Sequence, residues 1–147
     1  MITIRPGVES DAEALCAFDL VAGREDGRRE FIRRSVVSGS CYVADDGGEL
    51  IGYGVLDYNF YGQGFVEMLY VHAAHRRRGA GAVLLRHMES LCRTAKLFTS
   101  TNLSNLPMQS LLGREGYVPS GVIHNLDEGD PEVVYFKRLG RGRRAGG

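Results

Sequence analysis

The stretch from Phe65 to Leu91 limits the fold more than any other part of the chain. Seven nearly all-apolar residues, Phe65-Val66-Glu67-Met68-Leu69-Tyr70-Val71, run through a short turn into Arg76-Arg77-Arg78-Gly79-Ala80-Gly81-Ala82. Beyond that, Val83, Leu84, Leu85, Met88 and Leu91 recur at helical spacing, which predicts a helix over about 79–94. β-Branched and aromatic residues make the first piece a strand, and a short strand is expected at Leu97-Phe98-Thr99. Strand, helix, strand is the pattern of a crossover between parallel neighbours. Within the first strand Glu67 stands out, because an acid buried there without a partner would cost several kcal/mol.

The remaining elements follow from the same periodicities. Ile2-Thr3-Ile4-Arg5 alternates as a strand, and Pro6-Gly7 ends it. Ala14, Leu15, Phe18 and Leu20 mark a helix opened by Glu9 or Ser10, and Phe31, Ile32, Val36 and Val37 mark a second over about 24–38. Cys41-Tyr42-Val43-Ala44 and Leu50 to Leu56 read as two antiparallel strands joined at Asp45-Asp46-Gly47-Gly48. A turn is expected over Asn59 to Gly64. A helix from about Pro107 to Glu115 and closing strands at Tyr117–Ile123 and Val133–Lys137 complete the chain. The expectation is an α+β domain over 1–139. It has a mixed, mostly antiparallel sheet of six or seven strands and about four helices. Residues 140–147, Gly-Arg-Gly-Arg-Arg-Ala-Gly-Gly, are expected to fray.

Composition excludes several function classes. Lys plus Arg and Asp plus Glu both number 18, so no net field favours nucleic acid or an anionic membrane. Cys16, Cys41 and Cys92 lack CxxC spacing and are odd in number, which predicts free thiols in a reducing compartment. No long apolar run opens the sequence, and the protein is expected to be cytoplasmic. His72, His75, His87 and His124 lack metal spacing, so no metal is expected. No Gly-x-Ser-x-Gly elbow supports a hydrolase.

The chemistry-bearing segment is the glycine turn. A helix start carries unpaired N–H groups and the positive end of the macrodipole, and glycines let an anion come close, a geometry suited to a diphosphate. A Walker A loop is not present, and a dinucleotide fingerprint fails because position 84 is Leu. What remains, Arg-x-x-Gly-x-Gly after a strand, resembles the pyrophosphate motif of the GNAT superfamily of acetyl-CoA-dependent N-acetyltransferases. A second segment in register, Asn102-Leu103-Ser104-Asn105-Leu106-Pro107-Met108 with Leu111-Leu112 and Glu115-Gly116-Tyr117-Val118, resembles that family too.

The resemblance implies acetyl-CoA as cosubstrate. Backbone groups of Leu69, Tyr70 and Val71 would pair with the pantetheine arm, and Arg76, Arg77, Arg78, Gly79, Ala80, Gly81 and Ala82 would hold the pyrophosphate. Asn105 would contact the cofactor arm or cap the following helix. Two family positions depart from the pattern. Leu112 stands where many members have a tyrosine acid, and Ser100 stands where some have a glutamate. Glu67 is the leading substitute as general base, against a solvent-facing or arginine-paired carboxylate. Tyr117 occupies an aromatic position that is usually core.

The implied reaction is acetyl transfer to a primary amine of a small molecule or peptide by direct attack in a ternary complex. The alternative is a noncatalytic acetyl-CoA-binding module. With the family's tyrosine and glutamate absent, a less basic amine is favoured. The four carboxylates of Asn125–Glu132 suit a cationic acceptor or simply a solvated turn. Tyr58, Asn59, Phe60 and Tyr61 would line the acceptor pocket or pack a partner subunit, and a homodimer is expected from the family.

Overall fold

Every expected strand and helix forms, with shifts at the ends that matter for the site. The computed structural model describes residues 1–140, so the expected fraying of the tail lies, from residue 141 on, outside the described residues. The strands are β1 Ile2–Pro6, β2 Cys41–Asp46, β3 Glu49–Phe60, β4 Gln63–Val71, β5 Lys96–Asn102, β6 Val118–Ile123 and β7 Glu132–Arg138. The helices are α1 Ala12–Phe18, α2 Asp26–Val37, α3 Ala80–Leu91 and α4 Leu106–Arg114, with 3₁₀ turns at Glu9–Asp11 and Ala73–His75. The strands hydrogen-bond in the order β1-β2-β3-β4-β5-β7-β6. β1 with β2, β2 with β3, β5 with β7 and β6 with β7 pair antiparallel, whereas β4 and β5 form the parallel pair that the α3 crossover requires.

The chain divides into two compact units, Met1–Leu56 with Met68–Met88, and Asp57–Glu67 with the chain from Glu89 on. In the first unit, Leu15 of α1, Ile32 and Val36 of α2, and Val43, Tyr53 and Val55 of the strands form one buried cluster. Ala44, Ile51, Ala80 and Leu84 form a second, with Leu69 and Val71 packed against it. The apolar pattern overreached at four positions, of which Ala14 and Leu91 lie exposed within their helices. Leu20 lies past the end of α1 and is exposed, and Val37, at the last position of α2, also faces solvent.

In the second unit β5 alternates: Leu97, Thr99 and Thr101 are buried, whereas Lys96, Phe98, Ser100 and Asn102 are half-buried. Asn105 caps α4, its Oδ1 accepting from Met108 N–H at 3.1 Å, and Pro107 sits in the first turn where no N–H is needed. β6 is exposed along its whole length. Pro119 and a register shift between Pro119 and Gly121 blunt that edge against unwanted pairing.

The turn expected over Asn59–Gly64 is shorter than that. β3 continues through Tyr58, Asn59 and Phe60, and only Tyr61 and Gly62, at φ 55° and 75°, make the reversal. Aromatic side chains favour the extended strand, and a two-residue turn with both φ positive matches the strand twist. Of the three thiols, Cys41 and Cys92 are buried and Cys16 is half-buried, and none of them is joined in a disulfide among the described residues. Burial pushes the Cys41 thiol up to about 11, which keeps it protonated and unreactive.

β3 and β4 approach closely where β3 has glycine. A Cβ on Gly52 would lie 2.8 Å from the Tyr70 carbonyl oxygen, whereas one on Gly54 would meet the mobile end of Met88 at 2.6 Å. Gly52→Ala should therefore cost about 1–3 kcal/mol of stability, and Gly54→Ala less, because a methionine tip moves more readily than a backbone. Urea midpoints of the two variants check the order.

Candidate functional site

β4 and β5 pair through Gly64–Leu97, Phe65–Phe98 and Val66–Thr99 only. Both strands continue, β4 to Val71 and β5 to Asn102. The peptide groups of Leu69, Tyr70 and Val71 therefore lie past the end of that ladder, on a half-buried stretch of strand. β4 then leads through the 3₁₀ turn Ala73–His75, whose amides His72 helps to satisfy by accepting from Ala74 N–H at its Nδ1, 3.0 Å.

The turn into α3 has two left-handed residues, Arg77 at φ 67° and Gly79 at φ 84°. The space where a Gly79 Cβ would stand is open to 4 Å. Inside α3 the first main-chain bond is Val83 N–H to the Gly79 carbonyl, 3.0 Å. Ala80, Gly81 and Ala82 thus present amides that the helix itself does not use, at the positive end of its dipole. That donor set fits a phosphate or pyrophosphate.

The three arginines of the turn behave differently from one another. Arg76 turns back, donating from Nε to the Val71 carbonyl at 3.1 Å and lying over the Tyr70 ring at 5.6 Å. Arg78 pairs with Asp46 Oδ2 at 2.5 Å and with His75 Nδ1 at 2.7 Å. This contact with Arg78, and then the N-terminal ammonium, hold the Asp46 carboxyl below its usual range. Arg77 is exposed at its left-handed position.

Tyr70 ties this strand to the α1–α2 connection. Its hydroxyl accepts from Leu20 N–H at 3.1 Å, and its ring stacks on Phe18 and Tyr53. The same connection holds a buried network that sequence reading missed. Asp19, 1% exposed, accepts at Oδ1 from the amides of Val21 and Ala22, and at Oδ2 from Tyr53 OH at 2.6 Å and Arg28 at 2.8 Å. Burial and then the Asp19 carboxylate raise the Tyr53 pKa well above its ordinary value, so this hydroxyl is a fixed donor.

Glu67 and Asp57 belong to the second unit, on the two arms of the hairpin closed by Tyr61-Gly62. More than a third of the Glu67 surface is exposed, yet atoms crowding its carboxyl, and then the neighbouring Asp57, raise its pKa above the usual carboxylate range. Asp57 was missed in the sequence. The signal for it was two acids at nearly equal distance from the hairpin turn. Asp57 Oδ1 is itself oriented by Asn59 N–H at 3.1 Å.

The other residues singled out in the sequence serve as scaffold. Leu112 is fully buried. Ser100 Oγ donates to Glu132 at 2.7 Å, and buried Tyr117 donates to Glu89 at 2.9 Å beside Lys137. Asn102 Nδ2 donates to Asp127 at 2.9 Å, and Ser104 Oγ to Asp130 at 2.6 Å, so the acidic loop is partly committed to its own unit. A shallow cavity of about 260 Å³ lies among His124, Asp127, Glu128 and Asp130. Among the described residues no cluster of His, Cys, Asp or Glu could hold a metal, and no helix is long and apolar enough to cross a membrane.

The mixed seven-stranded sheet with one parallel pair and its flanking helices defines an α+β protein. The sequence profile of the Acetyltransferase (GNAT) family matches residues 12–117. A GNAT-family acetyltransferase from Bacillus cereus ATCC 10987 is 33% identical over 96% of this chain and 99% of that one, with a TM-score of 0.89. Two more distant structures share the fold. One is yncA of Salmonella typhimurium, solved with its cofactor acetyl-CoA, at 18% identity over 95% of each chain and TM-score 0.76. The other is the ribosomal-protein-alanine N-acetyltransferase of Brucella melitensis, at 19% identity over 93% of this chain and 99% of that one, TM-score 0.75. No functionally curated protein matches the chain. The chain belongs to the GNAT acetyltransferase family.

The Asp19 network makes a sharp stability statement. Arg28→Met leaves a buried carboxylate short of its cationic partner and should cost about 3 kcal/mol, whereas Asp19→Asn combined with Arg28→Met should recover part of that loss. A double-mutant cycle by urea denaturation measures both.

Proposed function

We propose that this protein transfers the acetyl group of acetyl-CoA to a primary amine of a small molecule or peptide, by direct attack in a ternary complex. The observation that carries the reading is the set of main-chain amides at Ala80–Ala82, opened by left-handed Arg77 and Gly79. They would hold the pyrophosphate, Arg77 adding charge from its exposed position. The peptide groups of Leu69–Val71 would take the pantetheine arm as an added strand. Asn105, whose Oδ1 caps α4, would offer its amide nitrogen to a ligand.

Glu67, two residues before Leu69, is the proposed base. Its carboxylate, helped by Asp57 alongside, would take a proton from the acceptor ammonium through water. The freed amine nitrogen attacks the thioester carbonyl carbon, the C–S bond breaks, and the second proton that the nitrogen sheds as the amide forms passes through water to the departing coenzyme A thiolate. Water is assigned that last step because buried Leu112 offers no acidic hydrogen. The carboxylates of the Asn125–Glu132 loop favour a cationic acceptor, and acetyl-CoA chemistry of this kind suits a cytoplasmic protein.

A second reading, an acetyl-CoA-binding module without turnover, is favoured by the same buried Leu112. Calorimetric titration with acetyl-CoA, followed by a panel of amines and N-terminal peptides with detection of free thiol, separates them. Micromolar binding with amine-dependent thiol release is expected. Binding without release on any amine would support the module, and absence of binding would refute both.

The base assignment predicts a pH effect with a defined sign. Glu67→Gln should lower kcat by roughly 10²–10⁴-fold with little change in acetyl-CoA affinity. In the wild type the Glu67 pKa is raised, so activity should fall on the acid side at a pH above the usual carboxylate range. Asp57→Asn removes a like charge, eases ionisation of Glu67, and should move that acid limb to lower pH. A limb that stays in place or moves upward in pH–kcat/KM profiles would argue against the pair.

A further inference from the structure

The strands of the second unit place their side chains the wrong way round for a sheet that has only to fold. On β5 the buried side chains, beside Leu97, are the hydroxyl-bearing Thr99 and Thr101, whereas Phe98 lies on the opposite face and is half-buried. On β4 the same alternation buries Gly64 and Val66, leaves Phe65 half-buried and exposes Glu67. Folding alone favours rings inside and hydroxyls outside. Thr99 escapes the cost of burial because its Oγ1 donates to the Val66 carbonyl at 2.9 Å. No such compensation accounts for the rings on the open face.

Those rings form one row across three strands. Phe65 is the ladder partner of Phe98, and Phe98 that of Phe136. Phe98 and Phe136 stack with centroids 5.7 Å apart, and Phe60 props the row, 4.9 Å from Phe65 and 5.2 Å from Phe98. All four rings are half-buried, so the row keeps part of its surface open. A continuous aromatic surface of this kind suits a ligand with a flat apolar body.

Charge gives the row a direction. The next open-face position of β4 after Phe65 is Glu67, with Asp57 beside it, and the next of β5 after Phe98 is Ser100, whose Oγ donates to Glu132 at 2.7 Å. On the other side of the row lie Lys96 and its ladder partner Arg138, the latter over the Phe136 ring at 5.7 Å. Acids on one side and cations on the other leave a bound ammonium one place, beside Glu67. Successive positions on one strand face are about 6.6 Å apart at ~3.3 Å per residue. A ring joined to its nitrogen by about two carbons spans that distance.

We propose that the acceptor carries an arylethylamine unit, its ring on the row of Phe65, Phe98 and Phe136 and its ammonium beside Glu67. The unit is found in simple arylethylamines and equally in the α-amine of an N-terminal phenylalanine or tyrosine. Phe65, Phe98 and Phe136 set specificity, and Glu67 aligns the nitrogen. The inference rests on the acetyltransferase reading for its chemistry, but recognition of the ring can be measured without turnover.

Two measurements on the full chain test it. With saturating acetyl-CoA, thiol release is followed for phenethylamine against hexylamine and for phenylalanine amide against leucine amide, pairs of similar basicity. The aromatic member of each pair is expected to have the higher kcat/KM, by about 10-fold. Phe98→Leu keeps an apolar side chain and should lower that ratio about 5-fold. The faster of the two aromatic amines tells a free arylethylamine from a peptide N-terminus. In the second measurement phenethylamine is titrated into the protein loaded with coenzyme A, and saturable NMR shifts of the Phe98 and Phe136 ring protons are expected. Turnover without aromatic preference overturns the inference and leaves acetyl transfer standing. Saturable ring shifts without turnover on any amine sustain the recognition site and count against transfer. Absence of both overturns both.

Discussion

The early end of the β4–β5 ladder is the constraint on which the rest of this structure depends. Two parallel strands that could pair along their whole length do so over three residues and then stop. Unpaired peptide groups on a strand are costly when buried and hazardous when exposed, so they persist where something else can pair with them. β4 is held firmly on its other side, where His72 N–H donates to the Ile51 carbonyl at 2.8 Å and glycines at 52 and 54 let β3 come close. Its exit through a left-handed turn then sets the open amides of α3 immediately beyond the same strand.

Sequence periodicity made this part legible. The strand at 65–71, the helix after it and the turn glycines all follow from apolar spacing and the conformational freedom of glycine. The side-chain assignments were less legible. Nothing in a run of three arginines says that Arg76 will bond its own strand and Arg78 will pair with Asp46, because both partners are fixed by the tertiary structure. Asp57 escapes notice because it falls between the apolar run that ends at Leu56 and the turn expected from Asn59, and so has no strand position in the sequence pattern. Tyr58 and Phe60 carried the information that the strand continues.

The Asp19–Arg28–Tyr53 network is illegible for a different reason. Its members are separated by 9 and 34 residues and follow no period, so only the assembled fold brings them together. A buried ion pair is weak evidence of stability, since desolvation offsets most of the attraction. What the network does is specify. It fixes the amides of Val21 and Ala22, and with the Leu20 bond to Tyr70 it holds the α1–α2 connection in one place against β4. That is the conformational specificity such networks are retained for in other systems, and here it acts beside the strand assigned to the cosubstrate.

On the acetyltransferase reading, the remaining carboxylate chemistry narrows the acceptor. An amine must be neutral to attack, which at pH 7 costs about 4.6 kcal/mol for a lysine-like group of pKa ~10.4 and about 1.4 kcal/mol for an α-amine near 8. A base accepts that proton most easily when its own pKa approaches the donor's, and Glu67 is moved in that direction by crowding and by Asp57. The same shift weakens a carboxylate little as a base at neutral pH, because ordinary carboxyl values lie well below it. The departing thiolate meets no acid at Leu112, but a thiol of pKa about 8.5 leaves as the anion with a small penalty near neutrality. The proton balance is therefore least demanding for an α-amine or another weakly basic acceptor, and it grows harder with each unit of amine basicity.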